Sequence, residues 1–233
     1  MKIGIVTPTF RKLDGSTYNH LKSTLESVKN QTHQDYKIYL IGDDYSNNDE
    51  LLELSKIIEP DKIYVENLPV AVERIKYNGG QLWVTGGANA SNIGIQRALD
   101  DGYDYISLLD HDDMFLENHL KVISDCIDQT KTNFVTTRCG SLPSDTSTGY
   151  YTPYRPKSAL MYKVTACTNF RYLNFRFRNM IEECKWEYPG DADLWGRINA
   201  FLTEKNEYGV LINVETCKRT TEGLTKTNPS NVK

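Results

Sequence analysis

The segment Asp110-His111-Asp112-Asp113 follows directly on the apolar run Tyr105-Ile106-Ser107-Leu108-Leu109. Three carboxylates within four positions, delivered by an apolar strand, form a packed acidic cluster at a sheet edge. Carboxylates that close raise one another's pKa unless a cation sits among them. Hard divalent ions take oxygen ligands and share them with substrate phosphates. The cluster therefore points to Mn²⁺ or Mg²⁺ and to a metal-dependent enzyme acting on a diphosphate. The competing account is a solvated turn whose Asp caps the next helix; one capping Asp is common, three at a strand end are not.

The elements that would hold this cluster follow from periodicity. Ile3 to Thr7 reads as a strand stopped by Pro8, and Leu21, Leu25 and Val28 as a helix that Ser16 or Thr17 caps. Tyr36 to Ile41 is a second strand, Leu51 to Ile58 a second helix stopped by Pro60, and Lys62 to Val65 a third strand. Glu66 to Gly87, with two Gly pairs, reads as loop. Ala88 to Leu99 is a helix, Tyr105 to Leu109 the fourth strand, and Leu116, Leu120, Ile123 and Ile127 line a further helix. Alternating strands and helices predict an α/β fold with a mostly parallel sheet and helices on both faces. Ligands of such sheets bind outside the strands' carboxyl ends, where Thr7-Pro8-Thr9, Asp43-Asp44 and the acidic cluster all fall. The second half breaks the alternation. Phe134 to Cys139, Leu160 to Val164 and Val210 to Val214 read as strands, Gly140 to Arg155 as loop, and Arg171 to Lys185 has no clear period. Leu194, Trp195, Ile198, Phe201 and Leu202 form a helical stripe after Pro189-Gly190-Asp191, and the end from Thr220 is polar.

A chain of 233 residues with 39% hydrophobic content buries a full core as one domain. Its net charge of -4, with Lys and Arg scattered, argues against nucleic acid as partner. Five widely spaced cysteines without a Cys-x-x-Cys fit a reducing, cytoplasmic compartment rather than disulfides or zinc. No segment has the ~18 apolar residues of a membrane span. His20, His33 and His119 lack ligand spacing, which weighs against a phosphohydrolase built on His111.

Five segments in order carry a resemblance. Val6-Thr7-Pro8-Thr9-Phe10, Ile41-Gly42-Asp43-Asp44-Tyr45-Ser46, Ala90-Ser91-Asn92-Ile93-Gly94, Leu109-Asp110-His111-Asp112-Asp113 and Gly190-Asp191-Ala192-Asp193-Leu194-Trp195 resemble the motifs of inverting family 2 glycosyltransferases. The resemblance covers most of Lys2 to Arg219. It implies a GT-A fold in one domain: a nucleotide-sugar half to about residue 115, a smaller mixed acceptor-side half to about residue 219, and a polar tail over residues 220–233. It implies transfer of a sugar from a nucleoside diphosphate sugar, with uridine as the default base, to a hydroxyl of a carbohydrate or glycoconjugate acceptor.

The resemblance assigns Pro8, Thr9 and Phe10 to the base, and Asp44 to accepting from a pyrimidine ring N–H. Asp110 and Asp112 match its Asp-x-Asp pair, which touches ribose and holds the Mn²⁺ or Mg²⁺ bridging the diphosphate. Asp113 shares the metal or replaces one of the pair, and His111 reads as a spacer. Asp191 matches the general base and Asp193 is its runner-up; helix capping is the other account of both. Trp195 falls in the apolar stripe and reads as core. Arg74, Lys76, Arg178 and Arg219 are candidate diphosphate partners. Departures stand beside the matches. Ser91 occupies a common Arg position, Tyr45 a Gly position, and Lys218 to Gly223 lacks a His, leaving Arg219 and Thr221 as substitutes. Two rivals remain: a sugar-phosphate nucleotidyltransferase, against which Thr7 to Lys12 lacks glycines, and a non-catalytic sugar-nucleotide-binding module of a larger protein.

Overall fold

The computed structural model describes residues 1–139, 149–156, 164–185 and 189–219. Its first half alternates as the periodicity predicts. The strands are β1 (Ile3–Thr9), β2 (Tyr36–Asp43), β3 (Ile63–Leu68) and β4 (Tyr105–Leu108); the helices between them are α1 (Ser16–Lys29), α2 (Asn48–Ser55) and α5 (Ala88–Asp100). The stretch from Glu66 to Gly87 departs from expectation. It contains two short helices, α3 (Val72–Lys76) and α4 (Gly79–Thr85). The glycine pairs bound α4 rather than break it: Gly79 opens the helix, and the Gly86 N–H closes its last turn on the Leu82 carbonyl.

Past β4 the chain makes a short strand, β5 (Asp113–Phe115), then α6 (His119–Thr130), β6 (Phe134–Cys139), β7 (Tyr151–Tyr154), β8 (Val164–Asn169), α7 (Phe170–Leu173), α8 (Gly190–Glu204) and β9 (Gly209–Arg219). The strand expected over Leu160 to Val164 lies, save Val164, outside the described residues; β8 begins where it ends. β7 falls inside the expected loop of Gly140 to Arg155. β9 runs to Arg219 because its second half pairs with β5 as well as β6.

The nine strands form one sheet in the order β3-β2-β1-β4-β8-β6-β9-β5, with β7 beside the first half of β9. β3, β2, β1 and β4 are parallel. β8 runs against both β4 and β6, and β9 runs with β6, so the acceptor-side half is mixed. β6 and β9 thus point the same way as β1, and their carboxyl ends reach the same edge. Side chains alternate between two cores. Ile3, Ile5, Ile38 and Leu40 meet α1, α2 and α6 on one face. Val6, Tyr39 and Ile106 meet α5 and α8 on the other. This double covering is what a parallel sheet requires, and Trp195 belongs to the second core at 6% exposure, edge-on to Phe134.

Candidate active site

The carboxyl edge of the sheet gathers the sequence-predicted residues. Asp110 to Asp113 form a turn after β4, closed by the Asp113 N–H donating to the Asp110 carbonyl at 3.1 Å. α1 braces that turn from behind. The Thr24 hydroxyl reaches the carbonyl oxygens of His111 (2.9 Å) and Asp113 (2.7 Å), Ser27 accepts from the Phe115 N–H, and Gln31 donates to the Leu116 carbonyl (2.8 Å). A polar face on an amphipathic helix gives no sequence sign that it staples a distant loop, so these residues escaped the motif reading.

The three acids are not equivalent. Asp113 is buried, and β5 pairs it with Arg219, whose Nε lies 3.5 Å from its carboxylate. Burial pushes the Asp113 carboxyl well above the ordinary range, Asp110 pushes it further, and Arg219 opposes both. Asp110 is open to solvent but sits among protein walls. Burial raises its carboxyl, Arg219 lowers it, and the charges of Asp112 and Asp191 raise it again, to a net value above the usual carboxylate range. Asp112 is half-exposed. His111 is held neutral by burial, with no partner for its Nε2 among the described residues.

A divalent cation fits this donor set in part. Asp110 and Asp112 are accessible at the turn, and Asp113 is paired with Arg219. Among the described residues no third Asp, Glu, His or Cys completes a cage. Such a shell suits an ion that draws its remaining ligands from phosphate oxygens and water.

The nucleotide end is built from β1, β2 and α3. Phe10 carries the Arg74 guanidinium over its ring at 3.6 Å, and Arg74 Nε donates to Asp43 Oδ2 at 3.1 Å. Asp43 is buried, yet its Oδ1 has no partner among the described residues, and the same holds for the hydroxyls of Thr7 and Thr9. Burial raises the Asp43 carboxyl and Arg74 pulls it down, leaving it raised. Asp44 is exposed, in the left-handed region at φ 51. The strain of the turn thus falls on an Asp, which tolerates it, and Tyr45 at the family's Gly position is buried instead, donating to Glu50 at 2.6 Å. Glu73, also buried, accepts from the Asn89 N–H at 2.9 Å. The motif reading placed Asp43 at the carboxyl end of its strand but gave it no role, and it did not single out Glu73.

The third motif serves as scaffold. Ser91 donates to the Gly87 carbonyl, and Asn92 exchanges two hydrogen bonds with the backbone of Phe177, at 2.9 and 2.8 Å. Gly94 lets α5 approach β1, since a Cβ there would stand 2.6 Å from Val6 Cγ1. Of the basic candidates, Lys76 pairs with Glu182 at the surface, and Arg178 pairs with Asp193. Asp193 also binds Arg197 at 2.8 Å. Burial would raise its carboxyl, but the two guanidinium groups outweigh it and hold it low. Asp193 is thereby unsuited to take a proton. Asp191, in the first turn of α8, is exposed and accepts only the Ala192 N–H among the described residues. It is near enough to Asp110 for its charge to raise that carboxyl. Thr221 lies outside the described residues. A separate groove of about 550 Å³, lined by Lys131, Asn133, Glu207 and Tyr208, opens where β6 and β9 begin.

A doubly covered α/β sheet with acids at its carboxyl edge defines a nucleotide-dependent transferase architecture. Residues 4–185 match glycosyl transferase family 2, and the chain belongs to that family. An uncharacterised glycosyltransferase of Acanthamoeba polyphaga mimivirus is 28% identical over 239 residues, spanning 97% of this chain and 96% of the relative. One from Rickettsia bellii (strain RML369-C) is 29% identical over 121 residues, which are 52% of this chain and 14% of that protein. Among solved structures, S. aureus TarS in complex with UDP-GlcNAc superposes with a TM-score of 0.68 at 15% identity, covering 97% of this chain. TarS in complex with UDP gives 0.65 at 11%, covering 94%. The chain spans 61% and 60% of those two chains. The likeness establishes the fold, the GT-A arrangement expected from the motifs.

Proposed function

We propose that this chain transfers a sugar from a UDP-sugar to a hydroxyl of a glycan or glycoconjugate, with inversion at the anomeric carbon and with Mn²⁺ or Mg²⁺ bound. The observation that carries the reading is the acidic turn at the carboxyl edge of a family 2 sheet, with Asp191 exposed in the first turn of α8 and near enough for its charge to raise the Asp110 carboxyl. The UDP and UDP-GlcNAc complexes of TarS support the choice of nucleotide. The base lies against Pro8, Thr9 and Phe10, and its ring N–H donates to the carboxylate of Asp44. Asp110 and Asp112 are the residues that would hold the cation beside the diphosphate, and Asp113 fixes Arg219 next to them. A divalent ion held there would supply positive charge against that gathering on the leaving diphosphate.

Asp191 then has a defined task. An acceptor hydroxyl needs a base within hydrogen-bond reach to act at neutral pH. As the acceptor oxygen bonds to the anomeric carbon, its proton passes to Asp191. The bond from that carbon to the diphosphate oxygen breaks, and the electron pair leaves with UDP. Attack opposite the leaving group inverts the centre. The test is Asp191→Asn. It keeps the thermal stabilisation by UDP and slows UDP-sugar turnover, measured as hydrolysis with water as acceptor, by about 10²-fold or more. Turnover within twofold of wild type removes Asp191 from the mechanism.

A further inference from the structure

Trp83 is 59% exposed on α4, whereas Val84 and Thr85 after it are buried. An indole left bare on a helix forgoes burial of a large apolar area and adds nothing to the core. Its helix ends between two parts of the site. The Val84 carbonyl stands 3.3 Å from where a Cβ on Gly190 would lie, so α4 abuts the residue before Asp191. Thr85 accepts from the Met180 N–H at 3.3 Å, which fixes α4 to the segment that Asn92 also holds. Gly87, just beyond the helix, has its Cβ position 4.0 Å from Pro8. Trp83 is therefore carried on a short rigid rim that joins the nucleotide end of β1 to the start of α8. Trp195 is core, so among the described residues Trp83 is the indole left open to solvent.

Resting on the reading of Asp191 as base, we infer that Trp83 is the platform on which the acceptor's sugar ring stacks. The acceptor hydroxyl must be held next to Asp191 while the rest of its ring stays hydrated. A pyranose with one continuous C–H face meets that need: its apolar face lies on the flat indole and its hydroxyl edge stays free for the base.

The experiment is saturation-transfer NMR on the full chain with UDP and the diamagnetic Mg²⁺, adding in turn methyl β-D-glucopyranoside, methyl β-D-galactopyranoside and methyl N-acetyl-β-D-glucosaminide. The expected result is saturation of ring C–H protons of at least one sugar in the wild type, its loss in Trp83→Ala and a reduced signal in Trp83→Phe, with UDP saturation equal in all three. Equal sugar saturation in Trp83→Ala overturns the inference, as does a wild type that binds UDP but none of the three sugars. A dimer in solution that dissociates in Trp83→Ala also overturns it, by assigning the indole to a self-interface. A wild type that does not bind UDP fails the nucleotide reading itself and takes the platform with it.

Discussion

At the scale of single residues, two acids two positions apart on α8 have opposite fates. Asp193 is locked between Arg178 and Arg197, and Asp191 is exposed and accepts only its own helix's N–H among the described residues. Substituting each should separate stability from chemistry. Asp193→Asn is expected to lower unfolding free energy by about 1–3 kcal/mol, as loss of a charged hydrogen-bonding partner does. At temperatures well below melting it should leave UDP-sugar hydrolysis within a few-fold. Asp191→Asn should do the reverse. Urea denaturation beside a hydrolysis assay decides; a stable but inactive Asp193→Asn would exchange the two roles. The motif Gly190-Asp191-Ala192-Asp193 placed both acids on the right helix, but nothing in it says which one the arginines take. Arg178 comes from a segment without period, so its partner was not legible. The second motif behaved alike: it located the turn, and only the fold shows Asp43 buried under Arg74 while Asp44 stays outside.

At the scale of elements, long strongly periodic segments were readable and short ones were not. β5 has three residues, α3 five and α4 seven, too few for a period to declare itself. Yet β5 aligns Asp113 with Arg219, and α3 supplies Glu73 and Arg74. The helices that were readable serve the site through contacts the apolar pattern does not encode. Thr24 is one: Thr24→Val removes the hydroxyl that holds two carbonyls of the acidic turn. It should destabilise by about 1–2 kcal/mol and weaken the Mn²⁺-dependent binding of UDP, read by calorimetry. An unchanged UDP affinity would mean the turn keeps its shape without the brace. Gly94 is another. Gly94→Ala drives a methyl toward Val6 and Ile41, both fully buried, and overpacking of this kind costs about 1–3 kcal/mol. A melting temperature equal to wild type would show that α5 can shift off the sheet freely.

At the scale of the whole molecule, one sheet carries both halves, and its topology explains why residues far apart in sequence meet. β8 reverses direction beside β4, which turns β6 and β9 to run with β1 and brings Arg219 to the edge where Asp110 lies. Parallel strands were predictable from alternation; the reversal at β8 was not, because nothing local marks which neighbour a strand chooses. The joint between the halves also contains His119, fully buried, stacked on Phe115 at 3.7 Å and 2.7 Å from the Thr216 hydroxyl. Burial pushes its pKa down to about 3 from 6.5. A folded-state pKa below the unfolded one means that the unfolded chain binds the extra proton. His119 therefore costs no stability above pH 6.5 and progressively more as pH falls from there toward 3. By pH 5 the loss is on the order of 2 kcal/mol. His119→Gln should be less stable at pH 7 but lose less between pH 7 and pH 5, measured by urea midpoints; an equal loss would place the acid sensitivity elsewhere.

The central claim is that the turn from Asp110 to Asp113 grips a cation together with a pyrophosphate. Thermal melting of wild type and Asp112→Ala with UDP, in Mn²⁺ and in EDTA, tests it directly. The account predicts stabilisation of the wild type by UDP that is large in Mn²⁺ and small in EDTA, and a shift in Asp112→Ala that is no larger in Mn²⁺ than in EDTA. A UDP shift of the same size in EDTA as in Mn²⁺, and unchanged in Asp112→Ala, would contradict it.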